Sequence, residues 1–370
     1  MKKGRGVLFI SHSAEIGGAS RSLMYMAGGF KNECLVLLPK NGPISELYKD
    51  NNIPTKVLRV PALFYSQYTK LGSESILSFL YHFVGIFKLI IHIKNRNYRL
   101  IHFNEVVFAP AAAIIKMIFG KKLKIVVHSR VVLPFGKYGF VQSFFKKCLD
   151  YIDYGIAISP TEAKSFPKGI KFDTIINPVG FGSYQPTFKK SKFLNEKCGI
   201  PNSKVIVGIF GVLHKGKGQE PLVRHLINFR YDNIIFFIIG SGPLEKKLKS
   251  MSSQLNNIIF TGSVLNPFIY MESCDFIIRF EENGLLGRDV LEANALGVPL
   301  LVYVTNENEY SGLVDNRINS VFVNNLSDEC INYGIMEMIN KYQHLRGRTV
   351  SIKFGYVPVD DYVIKIKNIY

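Results

Sequence analysis

Short runs of apolar, β-branched residues alternate with amphipathic stretches along the whole chain. Val7–Ile10 reads as a first buried strand, Ala19–Gly28 as a helix and Cys34–Leu38 as a second strand. A long apolar helix over Leu71–Lys94 leads into a strand at Leu100–Phe103. A helix at Pro110–Phe119 then precedes a strand at Leu123–Val127, and after a basic, aromatic segment comes Tyr154–Ile158. Alternation of this kind predicts a parallel sheet covered by helices.

From Asp173 to Lys204 the texture changes, with Asn177-Pro178, Gly180, Gly182, Pro186 and Pro201-Asn202 interrupting the pattern. It then restarts. Strands are predicted at Val205–Phe210, Ile234–Ile239, Asn257–Phe260, Asp275–Arg279 and Leu300–Val304. Helices are predicted at Gln219–Phe229, Leu244–Leu255 and Arg288–Leu296. The expectation is an α/β protein of two Rossmann-like domains, with a cleft where their sheets face each other. A chain of 370 residues, 47% of them hydrophobic, is long enough for two cores.

Composition narrows the classes. Cys34, Cys148, Cys198, Cys274 and Cys330 show no metal spacing and fit reduced thiols in a cytosol. Met1–Ile10 lacks the longer apolar run of a secretory signal. Ser75–Ile93 has nearly membrane-spanning length, but His82, Lys88 and His92 favour a helix packed on a sheet with some apolar surface exposed.

The net charge of +18 is uneven. Residues 1–185 hold 25 Lys or Arg against 10 Asp or Glu, whereas residues 186–370 hold 21 against 18. No helix-turn-helix pattern, RNP-like strand or metal finger accompanies this charge, so nucleic acid is not an expected partner. The basic residues sit among aromatics: Phe79, Phe83 and Phe87 with Lys88, and Phe135, Tyr138, Phe140, Phe144 and Phe145 with Lys137, Lys146 and Lys147. That mixture suits an anionic membrane surface or an acidic substrate, and it also suits a plain solvated face.

Strand ends in such sheets carry the chemistry. After the first strand, Gly17-Gly18 before a helix offers close backbone approach and free N–H groups to an oxyanion. His128 follows the strand at Leu123–Val127, with His102, Asn104 and Glu105 in the equivalent place on the preceding strand. The loop Gly211–Gln219 carries Lys215 and Lys217, suited to a diphosphate. Tight turns follow at Gly240-Ser241-Gly242-Pro243 and at Thr261-Gly262-Ser263-Val264, the latter placed to read a base edge through its backbone. Glu281 and Glu282 precede Gly287 to Val302, read as a loop, a helix with Glu292 near its start, a Gly turn and a buried strand. Those parts suit a nucleotide diphosphate, with Glu292 on ribose hydroxyls. No HExxH, Cys/His cluster or G-x-S-x-G is present, which favours chemistry without a protein-bound metal.

These motifs in this order resemble the GT-B retaining glycosyltransferases of the family-4 type, also called glycosyl transferases group 1. The resemblance runs from Gly17-Gly18-Ala19 through HSR at His128, ISPTE at Ser159, INPVG at Asn177, GVLHKGKGQ at Gly211, IIGSGPLEKKL at Ile238, IIFTGSV at Ile258 and GRDVLEANALGVPLL at Gly287. It implies an acceptor-binding domain over residues 1–185 and a donor-binding domain over 186–355. It also implies a C-terminal segment, 356–370, that returns to the first domain. The donor would be a nucleotide diphosphate sugar and no cofactor would be needed. Donor contacts would fall to Gly17, Gly18, Lys217, Gly242, Val264, Gly287, Arg288 and Glu292. His128 would lie near the donor sugar, and Glu282 would stand in for the family's first glutamate.

Two positions depart from the pattern: Gly284 occupies that glutamate's place, and Val212 replaces a phosphate-binding arginine. The implied acceptor is a saccharide, lipid-linked, in bacterial-type surface polysaccharide synthesis at the cytoplasmic face of the plasma membrane. Lys137, Lys146 and Lys147 would meet the membrane or acceptor. A nucleotide-sugar 2-epimerase or a noncatalytic partner protein on the same fold are the alternatives.

Overall fold

Strand β1 (Val7–Ile10) sends Leu8 and Ile10 to one face of its sheet and Val7 and Phe9 to the other, and both faces are covered. An uninterrupted apolar run is what a doubly covered parallel strand requires. The computed structural model describes residues 6–60, 76–131, 139–182, 184–187, 189–282, 287–305, 319–347 and 357–370. The first sheet also contains β2 (Cys34–Leu38), β3 (Thr55–Val57), β4 (Leu100–Phe103), β5 (Lys124–Ser129), β6 (Tyr154–Ala157) and β7 (Phe172–Thr174). All pair in parallel, in the order β3-β2-β1-β4-β5-β6-β7. The second sheet contains β8 (Val205–Phe210), β9 (Ile234–Ile239), β10 (Ile258–Gly262), β11 (Phe276–Arg279), β12 (Leu300–Tyr303) and β13 (Ser320–Val323). Its order is β10-β9-β8-β11-β12-β13, again parallel.

In each sheet the strand order turns at one place, between β1 and β4 and between β8 and β11. Loops leaving those strands diverge to opposite faces and open a crevice at the carboxyl edge, where ligands bind in this architecture. Both sheets are therefore Rossmann-like.

The chain divides into two compact units, Met1–Pro178 with Val357–Tyr370, and Val179–Tyr356. The first thus ends a few residues before the position 185 expected above, and its last piece is the helix Val359–Ile369. Tyr362, Ile366 and Ile369 of that helix are buried in the same core as Phe9, Leu23 and Val36. Each such burial contributes roughly 1.5–3 kcal/mol. Its fit depends on Gly29, since a Cβ there would come within 2.3 Å of Val363 Cγ1. Lys124 Nζ donates to the Ile369 carbonyl, and the Tyr370 hydroxyl meets His102 Nδ1 at 2.6 Å.

Several expected boundaries move. β5 continues through His128 and Ser129, so His128 sits within the ladder, paired with Ile156, rather than in a loop. β10 runs to Gly262, which places Thr261 and Gly262 in a strand. The helix read over Leu244–Leu255 is confined to Glu245–Met251. The helix read from Leu71 is described from Ile76 to Lys94. Strands β3 and β7 carry only exposed residues at sheet edges, so they lack the apolar run that marks the others.

Candidate active site

In the second unit, the loop after β8 lies against the segment after β11. The Glu282 N–H donates to the Gly216 carbonyl at 3.0 Å. Gly218, at φ +75°, starts the helix Gln219–Asn228, and a Cβ there would fall 2.0 Å from the Phe280 carbonyl oxygen. Only glycine permits both the backbone conformation and the approach.

This contact delivers Lys217 to Glu281, whose side chain is 0% exposed, and Nζ donates to Oε2. Arg279, at the end of β11, donates to the same oxygen at 2.9 Å and reaches Asp289 at 3.0 Å. Arg288 Nε donates to Glu292 Oε1 at 2.7 Å. Lys217, Arg279, Glu281 and Asp289 thus form one charge cluster at the carboxyl edge beside the β8/β11 turning point, and Arg288–Glu292 is an ion pair in the helix that follows. Burial, and next the Arg279 charge, lower the Lys217 pKa from the usual lysine range, against the opposing pull of Glu281. Gly287 caps the helix Arg288–Ala295, and a Cβ on it would strike Asp289 Oδ1 at 2.1 Å and the Arg279 guanidinium at 2.6 Å.

Beside this cluster three loops are joined by backbone bonds. The Leu213 N–H donates to Ser241, the Leu244 N–H to Leu213 and the Gly240 N–H to Gly262, at 2.9–3.0 Å. Gly242 packs against Leu213, and the Ser241 and Ser263 hydroxyls meet at 2.7 Å. Val264 follows, half-buried. The result is a ledge of fixed backbone groups, as base reading through the main chain requires.

The expected residues separate in an informative way. Lys217 joins the Glu281–Arg279 cluster that Gly287 packs against, Arg288 pairs with Glu292 in the following helix, and Gly242 and Val264 lie on the ledge. Glu282 does not join them. It is exposed and lines, with His214 and Lys215, a cavity of about 440 Å³. Of the two adjacent acids the buried one is Glu281, and its partner Arg279, with Asp289 on the same guanidinium, was not singled out from the sequence. An arginine ending an apolar strand, followed by paired acids, was the available signal, because a buried charge requires a partner. Val212 is exposed, and Gly284 lies outside the described residues. Arg288, one of the expected donor contacts, is engaged with Glu292.

In the first unit, Gly17 is the extended residue before the helix Gly18–Gly28, with no side-chain cap and nothing within 4 Å of the place a Cβ would occupy. His128 is fully buried, its ring centroid 5.4 Å from that of His102. Arg130, unread as a site residue, organises this edge. Its Nε donates to Asn104 Oδ1 at 3.0 Å, Nη1 to Asn177 Oδ1 at 2.6 Å and Nη2 to His128 Nδ1 at 3.3 Å. Its backbone N–H donates to Glu105 Oε1 at 3.2 Å.

Burial, with Arg130 second, holds His102 and His128 well below the usual histidine range and brings His12 down to about 4. Burial likewise pushes the Glu105 carboxyl up to about 7, against hydrogen bonds from Val106 and Arg130. His102 Nε2 and His128 Nε2 have no hydrogen-bond partner among the described residues. Lys146 is half-buried and Lys147 exposed on the helix Gly139–Leu149, while Lys137 lies outside the described residues. Among the described residues no cluster of three His, Cys, Asp or Glu side chains is placed to hold a metal ion.

Two Rossmann-like units with a C-terminal helix on the first define the GT-B class, and solved structures agree. HepE from Anabaena, in complex with UDP and glucose, matches with a TM-score of 0.77 at 19% identity, over 99% of both chains. Sucrose-phosphate synthase from Thermosynechococcus elongatus matches with 0.74 at 14% identity, over 99% of this chain and 98% of that one. WaaG, a glycosyltransferase involved in lipopolysaccharide biosynthesis, matches with 0.67 at 14% identity, over 97% and 99%. At these identities the likeness establishes the fold. No curated protein sequence matches the chain. Residues 190–349 match the family model of glycosyl transferases group 1, and they contain the Lys217–Glu281–Arg279 cluster and its ledge.

Proposed function

We propose that this protein is a retaining, hexosyltransferase-type glycosyltransferase that moves a sugar from a nucleotide diphosphate sugar to a saccharide acceptor. The observation that carries the reading is the buried cation–carboxylate cluster at the β8/β11 edge, within the segment that matches the group 1 family model. The second unit binds the donor. Its ledge around Gly242 and Val264 holds the base, Glu292, oriented by Arg288, takes the ribose hydroxyls, and Lys217 meets the diphosphate. The first unit binds the acceptor, and its Gly17-Gly18 helix start and His128 are its candidate contact groups.

In the reaction the bond from the anomeric carbon to the diphosphate breaks and negative charge grows on the leaving phosphate. Lys217 and helix-start N–H groups stabilise that charge without a protein-bound metal. The acceptor hydroxyl attacks the same face of the oxocarbenium-like centre, and its proton passes to the leaving phosphate. The net outcome is one glycosidic bond broken, one formed, and configuration retained. Because HepE was solved with UDP and glucose, UDP-sugars are the first donors to test.

Turnover of a nucleotide-sugar panel, with and without membrane extract as acceptor source, tests the reading. Acceptor-dependent transfer supports it. Product formed without any acceptor points to an epimerase, and nucleotide binding without turnover to a noncatalytic protein. Lys217→Ala should lower turnover about 10²–10³-fold, as removal of a charge-stabilising donor does. Glu292→Ala should weaken nucleotide binding about ten- to a hundredfold in calorimetry, the worth of a charge-assisted hydrogen bond. Unchanged affinity would remove Glu292 from the site.

We further propose that the acceptor is lipid-linked and that the first unit rests on the anionic inner face of the plasma membrane. Three helices pack on one face of the first sheet, Ile76–Lys94, Ala109–Phe119 and Gly139–Leu149. Outward they expose Val84, Phe87, Ile91, Met117, Ile118 and Phe144. Exposed Lys88, Lys94 and Lys147 lie on the same helices. No helix among the described residues is long and apolar enough to cross a membrane. Each basic residue at such a surface contributes about 1 kcal/mol, screened by salt. Binding to anionic vesicles should therefore fall with salt, and fall further when Lys137, Lys146 and Lys147 become Glu or Phe87 becomes Asp. Absence of co-sedimentation at low salt would end this proposal.

A further inference from the structure

We propose that Arg130 is a positioning residue that fixes the tautomer of His128, so that His128 presents Nε2–H as a directed hydrogen-bond donor. The inference rests on the reading of His128 as the first-unit residue that meets the transferred sugar. A guanidinium has donors and no acceptor. With Arg130 Nη2 at 3.3 Å, His128 Nδ1 is the accepting nitrogen and carries a lone pair, so the single ring proton resides on Nε2. That is the nitrogen with no partner among the described residues.

The guanidinium cannot swing away without breaking other bonds. Asn104 and Asn177 accept from its Nε and Nη1. Asn104 is itself oriented, because its Nδ2 donates to the Ala19 carbonyl at 3.3 Å, in the first turn of the helix Gly18–Gly28. That bond assigns the amide and turns Oδ1 toward Arg130. A continuous chain thus runs from the Gly17-Gly18 helix start through Asn104 and Arg130 to His128. The backbone that carries the ring is fixed by the ladder, where His128 of β5 pairs with Ile156 of β6.

The surrounding charges agree. His128 is faced by Arg130, one residue past the end of its own strand, and by His102 on β4, whose Nδ1 is taken by the Tyr370 hydroxyl. Glu105, the nearby acid, accepts the Arg130 backbone N–H and the Val106 N–H rather than a ring proton. A permanent cation against Nδ1 opposes a second ring proton, so His128 serves as a neutral donor to a sugar oxygen and not as a general acid or base.

The test reads the native full-length chain, labelled with ¹⁵N-histidine, across about pH 5–8, where an ordinary imidazole protonates. The His128 signals, assigned by their loss in His128→Gln, should show the Nε2–H tautomer and no titration. Either an Nδ1–H tautomer or protonation near pH 6.5 would overturn the proposal without any variant having to fold. In turnover assays Arg130→Met should lower kcat about tenfold with a smaller change in the donor KM, and should introduce a new acid limb in the pH profile. Glutamine retains an N–H donor near the Nε2 position and needs no tautomer. In a His128→Gln background the Arg130→Met loss should therefore shrink to less than about threefold, and a full loss there would overturn the positioning role. If the tautomer is as stated while His128→Ala turns over normally, the sugar-contact reading falls and the tautomer assignment stands.

Discussion

Replacing Glu281 with alanine should destabilise the second unit by about 3–5 kcal/mol, the cost of leaving buried charges without their partner. The carboxylate is fully buried and accepts from both Lys217 and Arg279. Without it, Arg279 keeps Asp289, but Lys217 is left next to a like charge in a desolvated place. Glu282→Ala, one residue on and exposed, should stay within about 0.5 kcal/mol. Chemical denaturation of the full chain, compared between the two variants, checks this. Equal small shifts would show that the charge cluster is not a stability element. Glu281→Gln separates volume from charge, since it fills the same space and still leaves Lys217 without its compensating carboxylate.

Acidification below about pH 6.5 should destabilise the first unit steeply. Folded His12, His102 and His128 have pKa values lowered from 6.5 by burial and Arg130. Stability is complete above 6.5, and as pH falls the unfolded chain takes up protons that the folded one refuses. Each histidine contributes up to about 1.4 kcal/mol per pH unit. Glu105 acts with the opposite sign, since its folded pKa is raised from 4.5 to about 7. Between those values the folded state keeps a proton that the unfolded state releases, so acidification favours folding at this one site. The net is about two protons, or about 3 kcal/mol per pH unit, between pH 6.5 and 4.5. Glu105→Gln should steepen the slope to about three protons. Denaturation midpoints measured over this range decide, and a flat profile would mean that the histidines are not held neutral.

The two-sheet α/β plan could be read from periodicity because doubly covered parallel strands need unbroken apolar runs, and Val7–Ile10, Val205–Phe210 and Ile234–Ile239 have them. The edge strands β3 and β7 escaped the reading because their side chains face solvent and bear no apolar signature. Local sequence also marked Gly17-Gly18, Lys217 and Glu292, since glycine turns and early helical carboxylates act over a few residues.

What sequence alone determined here is therefore where the buried apolar strands lie and which loops hold the glycines, lysines and early helical carboxylates. Strand order, charge pairing and proton placement were decided only by tertiary structure. That Glu281 and not Glu282 is the buried acid follows from the loop after β8 packing on the segment after β11. That Arg130 governs His128 follows from β4, β5 and the residues after β7 meeting at one edge, which brings Asn104 and Asn177 to a single guanidinium. Contacts between residues tens of positions apart leave no local pattern, because the energy that selects them comes from satisfying buried charges and polar groups in the assembled fold.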